Sequence, residues 1–118
     1  MIAIYDKKGF VPLIQVEAEK LVGADLSNKE LNEANLVEHN LQGVNFQNTS
    51  LKQADFRLAN LEDVDFRGAD LTGADFSNAS MKGVLLEGAT VTAAKFFHVD
   101  LTEIDLSKVN LQEAQVLA

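Results

Sequence analysis

Large apolar residues recur at every fifth position along most of the chain. The series runs Leu26, Leu31, Leu36, Leu41, Phe46, Leu51, Phe56, Leu61, Phe66, Leu71, Phe76, Met81, Leu86, Val91, Phe96, Leu101, Leu106, Leu111 and Val116, without a gap or a frame shift. A five-residue period fits neither regular element. Five residues advance an α-helix by about 500°, so these centres would smear around the cylinder. A straight strand alternates faces at each residue, which would throw every second centre into water. The chain therefore turns a corner inside each phrase. The residue two before each centre is also small or apolar, as at Ala54, Ala59, Val64, Ala69, Ala74, Ala79 and Val84. Each phrase reads as a three-residue strand, in–out–in, followed by two residues of turn. The outward middle residue is mostly Asp, Asn or Ser, types that bond to nearby backbone and favour turns.

The number of sides follows from which residues share a column. At a spacing of 20, one column of pre-centre residues reads Ala34, Ala54, Ala74, Ala94, Ala114, and another reads Ala24, Val44, Val64, Val84, Ile104. At a spacing of 15 these types mix. The same spacing of 20 puts Phe46 and Phe66 on one side and Phe56, Phe76 and Phe96 on the opposite side. A four-sided solenoid is predicted, with the alanine column beside Phe56, Phe76 and Phe96 compensating their volume in a close-packed interior.

The phrase resembles the A(D/N)LXX consensus of the pentapeptide-repeat proteins, and the resemblance covers Ala24 to Ala118. It implies an all-β fold, a right-handed quadrilateral parallel β-helix of nearly five coils with centre and pre-centre residues inside. The handedness comes from the resemblance, in line with the general rule for parallel crossovers. The chain then divides into an N-terminal cap, residues 1–23, and the β-helix, residues 24–118.

The cap is read as a hairpin or short helix: a strand over Met1–Tyr5, a turn over Asp6–Gly9, and a second strand over Phe10–Val16. Its role is to cover the unpaired edge of the first coil. Irregularity is expected in that coil, because Lys29 and His39 occupy inward positions. Lys29 is costly inside unless its head escapes, and Glu19, one revolution below His39, is a candidate partner for it. At the other end, Leu101, Ile104, Leu106, Val109, Leu111 and Val116 are expected to line an open apolar face. Such a face is an association site, and a homodimer stacked through it is expected, with truncation from a longer protein as the competing explanation of the open end.

Composition narrows the function. The 118 residues carry a net charge of −8 and no cysteine, so disulfides and thiolate metal sites are excluded. The acidic balance argues against direct nucleic-acid binding. No apolar run approaches membrane-spanning length, and the start, MIAIYDKKGF, lacks the order of a signal peptide, so the cytoplasm is the default location. His39 and His98 are the two histidines, and neither belongs to a catalytic spacing. Gly43, Gly68, Gly73, Gly83 and Gly88 fall in the last turn position and read as corner geometry. The carboxylate column Asp25, Asn45, Asp65, Leu85, Asp105 reads as turn capping. No cofactor, metal site or enzyme activity is expected.

Apolar residues at turn positions are the informative departures. Val37, Leu58, Phe97 and Leu117 all belong to the wall of Phe56 and Phe76, as does His98; Leu85 departs on the opposite wall. Val37, Leu58, Phe97 and His98 form the candidate interaction patch, for a protein partner or for the N-terminal segment. The expected function is a non-enzymatic scaffold for protein–protein contact. The resemblance implies an alternative, because some pentapeptide-repeat proteins mimic DNA and bind gyrase. The acidic charge agrees with that, whereas the short rod and the basic residues Lys52, Arg57, Arg67, Lys82, Lys95 and Lys108 do not.

Overall fold

The structure is a computed structural model that describes residues 2–9, 12–16 and 20–117. Asp25, Asn45, Asp65 and Leu85 face one another in parallel, as do Glu30, Ser50, Asp70 and Thr90. Asn35, Asp55, Asp75 and Lys95 make a third column, and Asn40, Asn60 and Ser80 a fourth. Four columns with partners one revolution apart define a quadrilateral parallel β-helix, and it is right-handed. No helix occurs among the described residues.

Three bonds recur in each repeat. The centre's N–H donates to the next revolution, as Phe56 to the Asp75 carbonyl at 2.8 Å. The outward residue donates back, as Asp75 to the Ala54 carbonyl at 3.0 Å. The pre-centre N–H closes the corner on the previous centre, as Ala59 on Phe56 at 3.0 Å. That corner places one residue at positive φ. Glycine takes it at Gly68, with φ 72°, but Glu33, Gln53, Leu58, Asp63 and His98 take it as well, with φ between 59° and 63°.

Every centre from Leu26 to Phe96 is at most 2% exposed. The phenylalanines form two parallel stacks, Phe46 on Phe66 at 5.4 Å and Phe56–Phe76–Phe96 at 5.0 and 5.1 Å. The stacks meet edge to face across the axis, Phe56 against Phe66 at 5.5 Å, a geometry favoured by the ring quadrupoles. Thr49 occupies an inward position and stays satisfied, its hydroxyl donating to the Leu26 carbonyl at 2.6 Å. Among the described residues no buried side-chain polar atom lacks a partner.

At the N-terminal end β1 (Ile2–Tyr5) pairs antiparallel with β2 (Pro12–Val16). The hairpin lies on the first coil. Ile4 is 1% exposed within the core, Asp6 bridges Ala34, and the Asn35 N–H donates to the Tyr5 carbonyl at 2.8 Å. Met1, Phe10, Val11 and the proposed Glu19 partner of His39 lie outside the described residues.

The irregularity expected in the first coil is found in the last revolution instead. The first coil keeps its ladder, with Leu26 and Leu31 donating to Asn45 and Ser50, because the Lys29 side chain lies exposed and displaces nothing. From residue 99 the ladder continues on one wall: β3 (Lys95–Phe97) pairs in parallel with β4 (Gln115–Leu117). On the other three walls Ser80, Leu85 and Thr90 have no bridge to the following revolution, and the Met81, Leu86 and Val91 N–H groups have no backbone acceptor. Leu101, Leu106 and Leu111 become half-buried, and Val116 is 54% exposed.

Candidate interaction surface

The four walls are dressed by one repeated device. The outward Asp or Asn accepts a hydrogen bond from the N–H two residues on, as in Asp25–Ser27, Asn45–Gln47, Asp65–Arg67 and Asp105–Ser107. This holds each corner in a turn conformation. Where Ser50 stands in that place, Asn32 of the preceding revolution accepts from the Lys52 N–H instead, at 2.9 Å. Leu85 has no such acceptor and is 46% exposed.

Three of the cations are tied into the same device. Arg57 grips Asp55, and Arg67 grips Asp65, each through two guanidinium nitrogens with a closest approach of 2.7 Å. Lys52 pairs with Asp70 across revolutions at 3.7 Å. Partial burial acts to raise the Asp55 and Asp65 carboxyls, but the arginine hydrogen bonds, the backbone N–H and the arginine charge outweigh it and hold both below the ordinary carboxylate range. Asp100 is lowered chiefly by the Thr102 hydroxyl. The carboxylates are thus engaged in turns and pairs. Among the described residues no group of three His, Asp or Glu side chains converges as a metal site.

The structure places the candidate patch in two parts. Leu58 donates its N–H to the Ser77 carbonyl and Asn78 donates to the Phe97 carbonyl, so Leu58 and Phe97 lie two revolutions apart, about 10 Å along the wall. Ser77 and Asn78 of the intervening revolution fall between them. Val37, half-buried, shares Leu58's part of the wall near the hairpin, where Tyr5 is 42% exposed. Phe97 and the exposed His98 belong with Leu117, which pairs with Phe97 and is 56% exposed. His39 does not join either part; it is half-buried, and its Nδ1–H donates to the Val37 carbonyl at 3.0 Å.

The structure adds two details, the backbone conformation at Leu58 and the exposure of Tyr5. Leu58 is 56% exposed at a left-handed corner, φ 63°, and among the described residues is the one large aliphatic residue at positive φ. Tyr5 also faces out, and the alternation of Ile2, Ala3, Ile4, Tyr5 carries that signal. Of the candidate end-face residues, Leu101, Leu106, Val109, Leu111 and Val116 are partly or largely exposed. Ile104 is the exception, at 8%, because it packs into the valine column over Val84.

The profile of the family described as Pentapeptide repeats matches residues 20–57, 40–78 and 49–88, with eight copies of the repeat. A pentapeptide repeat protein from Nostoc Pcc 7120 is similar in structure, with TM-score 0.70 and 26% identity, over 82% of this chain and 79% of that one. A pentapeptide repeat protein from the Arabidopsis thaliana thylakoid lumen is 34% identical, with TM-score 0.55, over 80% of this chain and 69% of that one. The fluoroquinolone resistance protein QnrB1 superposes at TM-score 0.43 with 21% identity, a likeness that carries no functional argument. No curated protein sequence matches the chain. Among the described residues no helix is long and apolar enough to cross a membrane.

Proposed function

The chain belongs to the pentapeptide-repeat family, and from that premise we propose that it is a non-enzymatic scaffold for protein–protein contact. The observation that carries this reading is Leu58. A large apolar side chain, more than half exposed, sits in a backbone conformation that costs an ordinary L-residue on the order of 1 kcal/mol. Strain of that kind combined with exposure is a reason to look for a contact. Tyr5 and Val37 near it, and Phe97 and His98 farther along, give one wall two places to grip a partner. The test is affinity capture from native lysate, comparing wild type with a Leu58→Ser/Phe97→Ser double variant. Proteins retained by the wild type and released by the variant support the reading; an identical set of captured proteins contradicts it.

A second copy of the chain is one partner we propose. The partly exposed Leu101, Leu106, Leu111 and Val116 form a face that a two-fold related copy matches with its own. Placing the protein in the cytoplasm goes with this reading, and cell fractionation tests it.

One observation favours a second reading, binding to a DNA-binding enzyme such as gyrase by imitation of DNA. The net charge is −8, and five of the ten Lys and Arg residues are already ion-paired with wall carboxylates. A supercoiling assay separates the two: a scaffold leaves gyrase activity unchanged, whereas a DNA mimic inhibits it or protects it from inhibitors.

A further inference from the structure

The last revolution is joined to the rod in an unequal way. Ala93 donates to the Glu113 carbonyl at 2.9 Å, Gln115 to the Ala94 carbonyl at 2.8 Å and His98 to the Leu117 carbonyl at 2.7 Å, so one wall and the corner leading into it are continuous. The other three walls open into slots of about 190 Å³ beside Met81, 160 Å³ beside Leu86 and 310 Å³ beside Val91. Two ion pairs reach across the gap, Lys82–Glu103 at 3.7 Å and Lys108–Glu87 at 3.5 Å, with all four side chains more than half exposed. Exposed pairs of this kind hold weakly and are screened by salt.

The residues that stack here explain the pattern. On the three open walls the pre-centre residue is larger than the one beneath it: Val99 over Ala79, Ile104 over Val84, Val109 over Ala89. On the continuous wall Ala114 lies over Ala94, and the centre shrinks from Phe96 to Val116. The widest slot is on the wall where the centre grows as well, Leu111 over Val91. A close-packed interior does not absorb extra methyl groups without displacement.

We propose that residues 99–112 form a leaf hinged on the β3–β4 wall and the Ala93–Glu113 corner that leads into it, held ajar by its oversized inner residues and able to close onto the ladder below. Closure restores acceptors to the Met81, Leu86 and Val91 amides and completes the end of the rod; opening leaves that β-edge accessible. The hinge and the two ion pairs set how far the leaf swings. The device is independent of the scaffold reading and of any partner.

Amide hydrogen exchange followed by NMR tests it. In the wild type, Met81, Leu86 and Val91 are expected to exchange at least about 100-fold faster than their equivalents Leu61, Phe66 and Leu71, while His98 and Gln115 stay protected. In a Val99→Ala/Ile104→Val/Val109→Ala variant the three fast amides are expected to slow toward the Leu61 group. If that variant does not fold, Val109→Ala alone tests the widest slot through Val91. Equal protection of the two groups in the wild type overturns the proposal, and so does a folded repacked variant whose three amides remain fast.

Discussion

Phe76 lies stacked on Phe56, their ring centroids 5.0 Å apart and their planes 2° from parallel. Phe96 continues the stack on the other side of Phe76 at 5.1 Å, and Phe66 meets Phe76 edge-on at 5.8 Å. Phe76 is thus held on three sides in the middle of the plug. Phe76→Ala is expected to lower the unfolding free energy by about 3–5 kcal/mol. Phe76→Leu, which leaves a smaller cavity, is expected to cost less. Urea denaturation of the two variants checks the order, and a loss below about 1 kcal/mol for the alanine variant contradicts the packing.

The corners make a second test. Gly68 has φ 72°, and a Cβ there would collide with the Asn48 side-chain oxygen leaning over it from the previous revolution. Gly68→Ala is expected to destabilise by about 1–2 kcal/mol, combining backbone strain with displacement of Asn48. Asn48→Ala in the same chain removes the collision and leaves the strain, so it recovers part of the loss.

Leu58 predicts the opposite sign. Its left-handed corner suits glycine or asparagine better than leucine. Leu58→Gly is expected to raise stability by a few tenths of a kcal/mol to about 1 kcal/mol, read as a shift in the urea midpoint. No gain would mean that the leucine side chain contributes packing that offsets its strain.

Acid should weaken the fold through the turn carboxylates. Asp25, Asp55, Asp65, Asp70, Asp100 and Asp105 are all held below their ordinary value when folded. The folded state therefore binds fewer protons than the unfolded one. The stability these groups contribute is fully present above about pH 4 and drains away as pH falls through their lower folded values. Protonation also relieves the repulsion of the net −8 charge. At ordinary salt that long-range effect is screened, whereas contact hydrogen bonds are not. The urea midpoint is expected to stay level from about pH 7 to pH 5 and to fall below about pH 4. Asp55→Asn/Asp65→Asn, which keeps an acceptor oxygen and loses the titration, should flatten the acid limb.

The end face predicts self-association. Sedimentation at high micromolar concentration is expected to show a dimer that Leu106→Ser/Leu111→Ser/Val116→Ser converts to monomer. A wild-type monomer under those conditions contradicts the end-to-end contact.

Much of the architecture was legible because one residue type at each fifth position is a geometric statement. The columns of Ala34–Ala114 and Ala24–Ile104 settled four sides over three, and the phenylalanine walls settled which sides carry the rings. The corners were legible only where glycine marks them. Glu33, Leu58 and His98 take the same conformation with no glycine, because the bonds on either side of each corner hold the backbone there. The open ladder of the last revolution was not legible in the period alone, because Val99, Ile104 and Val109 keep the apolar pattern while being larger than Ala79, Val84 and Ala89 beneath them. At Lys29 the expected escape of the charged head is what occurs: its side chain lies exposed and the ladder of the first coil is undisturbed. The patch was read as one wall, but residues that share a wall stand apart when they belong to different revolutions, as Leu58 and Phe97 do.

The revolution of twenty residues is tested most directly by scalar couplings measured across backbone hydrogen bonds. The Phe56 amide is expected to couple to the carbonyl carbon of Asp75, and the Phe66 amide to that of Leu85, matching bonds of 2.8 Å in each case. Coupling of the Phe56 amide to Asp70 instead, the acceptor that a three-sided spiral requires, would contradict the account.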